Sequence, residues 1–96
     1  MNAQEAKMDK IERGRAAQAL LENPLLQSAL AGLEAAYTEA WRQARNVEAR
    51  EDCHRYVRLV EKLAGDLQSI VTSGALEEAR LKEITRGRKH TLWPVI

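Results

Sequence analysis

Between Leu26 and Val71 apolar residues return every third or fourth position, and that spacing rules out most architectures before anything else is considered. Leu26, Leu30, Leu33, Tyr37, Ala40 and Ala44 follow one another at intervals of four, three, four, three and four. Cys53, Val57, Val60, Ala64, Leu67 and Val71 repeat the pattern. An α-helix turns once every 3.6 residues, so such positions share one face, whereas a strand would need alternation by two. Each run is therefore predicted to be an amphipathic helix. Trp41 widens the first seam, and Tyr56, Leu63 and Ile70 add a second row to the other.

Punctuation between the runs sets their boundaries. Asn23-Pro24 is the sharpest break: the residue before proline is pushed out of the helical region, asparagine is a strong N-cap, and proline suits the first helical position. One helix should stop near Glu22 and another start at Pro24. Arg45-Asn46 marks a second break, with Asn46 able to cap the next helix and Glu48 placed favourably at the positive end of its dipole. So short a connection makes the two seams an antiparallel hairpin. Leu30, Leu33, Val60 and Leu67 are expected to be buried between them. Before the hairpin, Ala3 to Glu22 is helix-prone with a thin apolar stripe of Met8, Ile11, Ala17, Leu20 and Leu21, weakened by Gly14. After it, Ser73-Gly74 reads as a helix end. A fourth helix is expected over Ala75 to Arg86, stopped by Gly87, with the first and fourth helices lying across the hairpin. The predicted fold is all-α: an antiparallel helical hairpin with two accessory helices and an extended C-terminal arm. Residues 1–87 form the helical domain and 88–96 the arm.

Composition supports this reading. Apolar residues make up 45% of the 96 residues, supplied mostly by Ala and Leu, with no Phe. That palette suits close helix packing better than a sheet. The formal net charge of +1 gives no bulk affinity for a polyanion. A single cysteine, Cys53, makes neither an intrachain disulfide nor a zinc site. No signal-peptide core follows Met1, and no apolar run nears the roughly 18 residues of a membrane span. A soluble intracellular protein with no membrane partner is expected.

Catalytic readings are weak. Cys53 and His54 are adjacent, but neighbours on a helix point about 100° apart, a poor arrangement for proton transfer. Cys53 lies on the seam and reads as a buried structural thiol. Glu51, Asp52 and His54 read as a solvated first turn, with only Glu51 and His54 spaced to share an ion. No phosphate loop, Ser/His/Asp set or paired carboxylates are present. No enzyme activity, catalytic residue, cofactor or metal is expected.

The end of the chain is different. Arg86, Arg88 and Lys89 stand without an acid between Ile84 and Ile96, and an apolar tail of Leu92, Trp93, Pro94, Val95 and Ile96 follows. Trp is a large rigid anchor of the kind that dominates interfaces, and an extended end leaves backbone groups for another chain to satisfy. These eight residues are the candidate partner-binding site; the alternative is that the tail folds back on the bundle, where a helical core short of aromatics has use for Trp93. Three cations are a small footprint for nucleic acid, and no aromatic interleaves with them. Arg50, Arg55, Arg58 and Lys62 share their helix with Glu51, Asp52, Glu61 and Asp66, unlike a recognition helix. A nucleic-acid-binding packaging factor or small regulator is the second reading.

The run Gly14-Arg15-Ala16-Ala17-Gln18-Ala19-Leu20-Leu21-Glu22-Asn23-Pro24-Leu25-Leu26, with Leu33-Glu34-Ala35-Ala36-Tyr37-Thr38-Glu39-Ala40-Trp41, Glu48-Ala49-Arg50-Glu51 and Ser73-Gly74-Ala75-Leu76, resembles a group of small helical proteins. They are encoded in tailed bacteriophages and prophages near the genes for head and portal proteins. The likeness covers roughly residues 12–81; Tyr56 approximates the group's third-helix aromatic, and the tail after Arg86 lies outside it. It carries no established activity or binding residue. It implies a structural or assembly protein of the virion head region, present in multiple copies, whose partners are other virion proteins of the capsid or portal region. The implied location is the virion, and the host cytoplasm during assembly.

Overall fold

Every helix begins at an asparagine. In the computed structural model, which describes the backbone of residues 2–92 and the side chains of residues 2–86, three helices follow one another: α1 (Ala3–Glu22), α2 (Pro24–Gln43) and α3 (Val47–Leu92). Asn2 opens α1 with a reciprocal capping box, its Oδ1 accepting from the Glu5 N–H at 2.8 Å while the Glu5 carboxylate accepts from the Asn2 N–H. Asn23 Oδ1 accepts from the N–H groups of Leu25 and Leu26 at 2.8 and 3.4 Å. Asn46 Oδ1 accepts from the Ala49 N–H at 2.7 Å. The boundaries expected at Asn23-Pro24 and at Asn46 are both present. Asn23→Ala should lower stability by about 1 kcal/mol through loss of the cap, a value read from denaturant melts. The α1–α2 joint is also tied by Gln27, whose amide donates to the Leu21 carbonyl at 2.7 Å.

The expected stop at Ser73-Gly74 is absent. α3 is one helix of 46 residues that continues through Gly74, and no glycine among the described residues has a positive φ. What was expected as a separate fourth helix, ended by Gly87, is the second half of α3. Gly74 answers a different need. A Cβ built on it would lie 2.8 Å from both the Gly14 Cα and the Lys10 carbonyl oxygen. A Cβ on Gly14 would lie 2.9 Å from the Gly74 Cα. The two glycines face each other where α1 crosses α3, and only hydrogen fits between the backbones.

Three helices therefore make a two-layer rod. α3, about 69 Å long at 1.5 Å per residue, is one layer. α2 returns antiparallel to its N-terminal half, and α1 continues antiparallel to its C-terminal half, so α1 lies alongside α3 rather than across the hairpin. The molecule measures 78 × 25 × 24 Å with a radius of gyration of 21.1 Å. A compact domain of this length would have about 12 Å. Of the expected arm, Arg88 to Leu92 belong to the end of α3, and Trp93, Pro94, Val95 and Ile96 lie outside the described residues.

The seam on α3 is as expected: Cys53, Val57, Val60, Ala64, Leu67 and Val71 are all half-buried against α2 or α1. The depth of burial is not. Leu30, Val60 and Leu67 are only half-buried, and Leu33 is 45% exposed. Among the described residues the buried apolar side chains are Ile11 and Ala17, both on α1 beside the glycine crossing. Two helices can cover each other along one line; full burial needs a third neighbour, and the described residues supply none.

Candidate protein-binding surface

The α1–α3 contact fixes the C-terminal half of α3 in place. Beside the glycines, Arg15 donates to the Glu78 carboxylate at 2.8 Å. That hydrogen bond, reinforced by the guanidinium charge and more weakly by Lys82, holds the Glu78 carboxyl below the usual carboxylate range, against the opposing effect of its partial burial. A lowered folded-state pKa stabilises the fold above the unfolded carboxylate pKa, and this contribution disappears as the pH falls through the folded-state value. Glu78→Gln should therefore flatten the acid side of the stability profile, measured as melting temperature against pH. On the other flank Glu77 is buried. One carboxylate oxygen accepts from Arg80 at 3.1 Å, and Oε2 has no hydrogen-bond partner. Glu77 stands in the row of Tyr56, Leu63, Ile70 and Ile84, where the other four residues are apolar.

The antiparallel register sets where α3 runs free. Gly14 meets Gly74, and Gln4 shares a cavity with Leu81, Ile84 and Thr85. α1 begins at Ala3, so α3 passes the end of α1 near Thr85 and continues to Leu92 with no other described helix beside it. Arg86 is exposed at this point and shares a shallow groove with Leu81, Lys82 and Thr85. Of the predicted binding residues, Arg88, Lys89 and Leu92 belong to this overhanging part of the helix. Trp93, Pro94, Val95 and Ile96 lie outside the described residues.

Cys53 is half-buried on the seam, and His54 is exposed in an open hollow with Trp41, Val47 and Glu51. Among the described residues no three His, Cys, Asp or Glu side chains gather where they would hold a metal ion. No described helix is long and apolar enough to cross a membrane. Cations on the hairpin are partly neutralised on their own helices, Arg55 by Asp52 at 3.1 Å, Lys62 by Asp66 at 3.2 Å and Arg42 by Glu39 at 3.6 Å.

What sequence reasoning missed is the exposed apolar surface. Leu25, Leu33, Tyr56, Leu59 and Leu63 are all exposed. The signal was the second row on α3, which asks for a second neighbour that the described residues do not provide. Comparison with family models, with curated proteins and with solved structures found no match.

Proposed function

We propose that this protein is a non-catalytic structural or assembly subunit of the virion head region of a tailed phage. In this reading it is present in multiple copies and binds other virion proteins of the capsid or portal region. The observation that carries the protein-binding part is the near absence of an interior: among the described residues only Ile11 and Ala17 are buried apolar side chains, while large ones stand open along a rod 78 Å long. Exposed apolar surface on this scale marks contact with other macromolecules. The phage setting is supported by the residue pattern between positions 12 and 81.

The attachment point in this reading is the overhanging end of α3, with Arg86, Arg88, Lys89 and Leu92, and the residues beyond it, Trp93 to Ile96. Among the described residues, neither α1 nor α2 lies beside that end of α3. Cations there suit an acidic neighbour. The interspersed acids on α3 favour a protein partner over nucleic acid, whose binding would weaken steeply with salt.

Deleting Thr91 to Ile96 should leave the circular dichroism spectrum and the melting temperature nearly unchanged and abolish incorporation into particles, measured by mass spectrometry of purified virions. A truncated chain that melts much earlier would make the end part of the fold. One that still enters particles would move attachment to the sides of the helices.

A further inference from the structure

The hairpin half of the molecule has two unlike sides. On one, Leu25, Ala29, Gly32 and Ala36 follow at spacings of four, three and four on α2, and Tyr56, Leu59 and Leu63 follow at three and four on α3. Ala29 and Ala36 each precede a seam residue of α2, Leu30 and Tyr37; Tyr56 and Leu63 each precede one of α3, Val57 and Ala64. In an antiparallel pair such flanking positions lie on the same side of the seam. The Tyr37 and Tyr56 rings, 5.1 Å apart between centroids, span the seam there. The other side carries Gln27, Glu34, Trp41, His54, Glu61 and Gln68 and is mostly polar.

The apolar side is open and self-complementary. Leu25 is 78% exposed and Leu59 62% exposed, and a Cβ on Gly32 would meet nothing within 4 Å. α2 offers small residues and α3 large ones. The acids near its ends, Glu39, Asp52 and Asp66, each form an ion pair on their own helix, so the face would not repel a copy of itself. We propose that this face pairs with the same face of a second copy about a two-fold axis, forming a four-helix bundle. The small stripe of each α2 receives Tyr56, Leu59 and Leu63 of the other chain's α3, and the exchange is satisfied twice by symmetry.

The surface area fits a second copy. The chain exposes 7852 Å². A compact monomer of this mass would expose about 5,500 Å². The excess belongs to the rod as a whole, of which the hairpin face is one part, and it is larger than the roughly 800 Å² per partner that a standard interface takes. Two hairpins joined into a four-helix bundle gain the third and fourth neighbours that each seam lacks.

The test is sedimentation of the full chain. The expected result is a dimer in the wild type and at least a tenfold weaker dimer for Leu59→Glu, with Gln68→Glu on the opposite side unchanged. A wild-type monomer or trimer, or a dimer indifferent to Leu59→Glu, would overturn the proposal. A second measurement avoids dependence on a charged variant that fails to fold. Spin labels are placed singly at Leu59→Cys or at Gln68→Cys in a Cys53→Ser background. Copy-to-copy distances should be shorter from position 59 than from position 68, and the reverse order would overturn the two-fold pairing. This face is separate from the C-terminal attachment point, so failure of the dimer leaves particle incorporation untouched, and the converse holds.

Discussion

Gly74→Ala will lower the melting temperature, and Gly65→Ala will raise it. Both glycines lie inside α3, where alanine alone is favoured by about 1 kcal/mol. At Gly65 nothing stands within 4 Å of the new methyl group, so the full gain is expected. At Gly74 the methyl group would sit 2.8 Å from the backbone of α1, which cannot rotate away as a side chain would. Overpacking of that kind costs about 1–3 kcal/mol, enough to exceed the helix gain. Near 100 residues each kcal/mol moves the midpoint by about 4–8 °C, so the two variants should separate clearly in thermal melts. Gly14→Ala should behave like Gly74→Ala. If both alanines stabilised, the close crossing of α1 and α3 would be wrong.

Ile11→Ala should be the most damaging truncation of an aliphatic side chain in the described part of the molecule. Ile11 is only 3% exposed, and it is the one large apolar side chain buried there. Emptying such a site costs about 2–5 kcal/mol, a large share of the 5–15 kcal/mol that holds a typical domain. The loss falls on the α1–α3 contact and leaves the α2–α3 hairpin its own seam. Limited proteolysis should therefore cut the variant within residues 3–22 first. Cleavage spread evenly over all three helices would mean that α1 is not a separable part.

What could be read in the residues was local. Asn23 and Asn46 announce their helices because a cap acts through neighbours two and three residues away, so no tertiary knowledge is needed. The seam from Cys53 to Val71 was equally legible from its period. Gly74 is ambiguous from sequence because a glycine after serine has two explanations, a left-handed helix end and a close approach of backbones, and only the second depends on a residue 60 positions earlier. A clue was present: the spacing of four and three runs on without a phase change from Val71 to Gly74, Glu78 and Leu81. A helix that stopped and restarted would have reset it. The exposure of Leu33 was not legible, because amphipathicity says which face turns inward and not how many neighbours arrive to cover it. The candidate site was legible only as composition. That its cations begin where α3 passes the end of α1 depends on the register set by the glycine crossing.

The single turn at Asn46 also orders events in time. A chain folded back once closes its contacts from the bend outward, and the entropy lost in closing a loop grows with the length enclosed. Tyr37 and Tyr56 enclose a short loop, while Arg15 and Glu78 stand 63 residues apart. The hairpin of α2 with the first half of α3 is thus the natural nucleus, and α1 joins once α3 has been extended far enough to present Gly74. On a ribosome the same order is imposed by synthesis: α1 and α2 emerge first, in contact with each other only around their joint, and wait for the shared partner that follows.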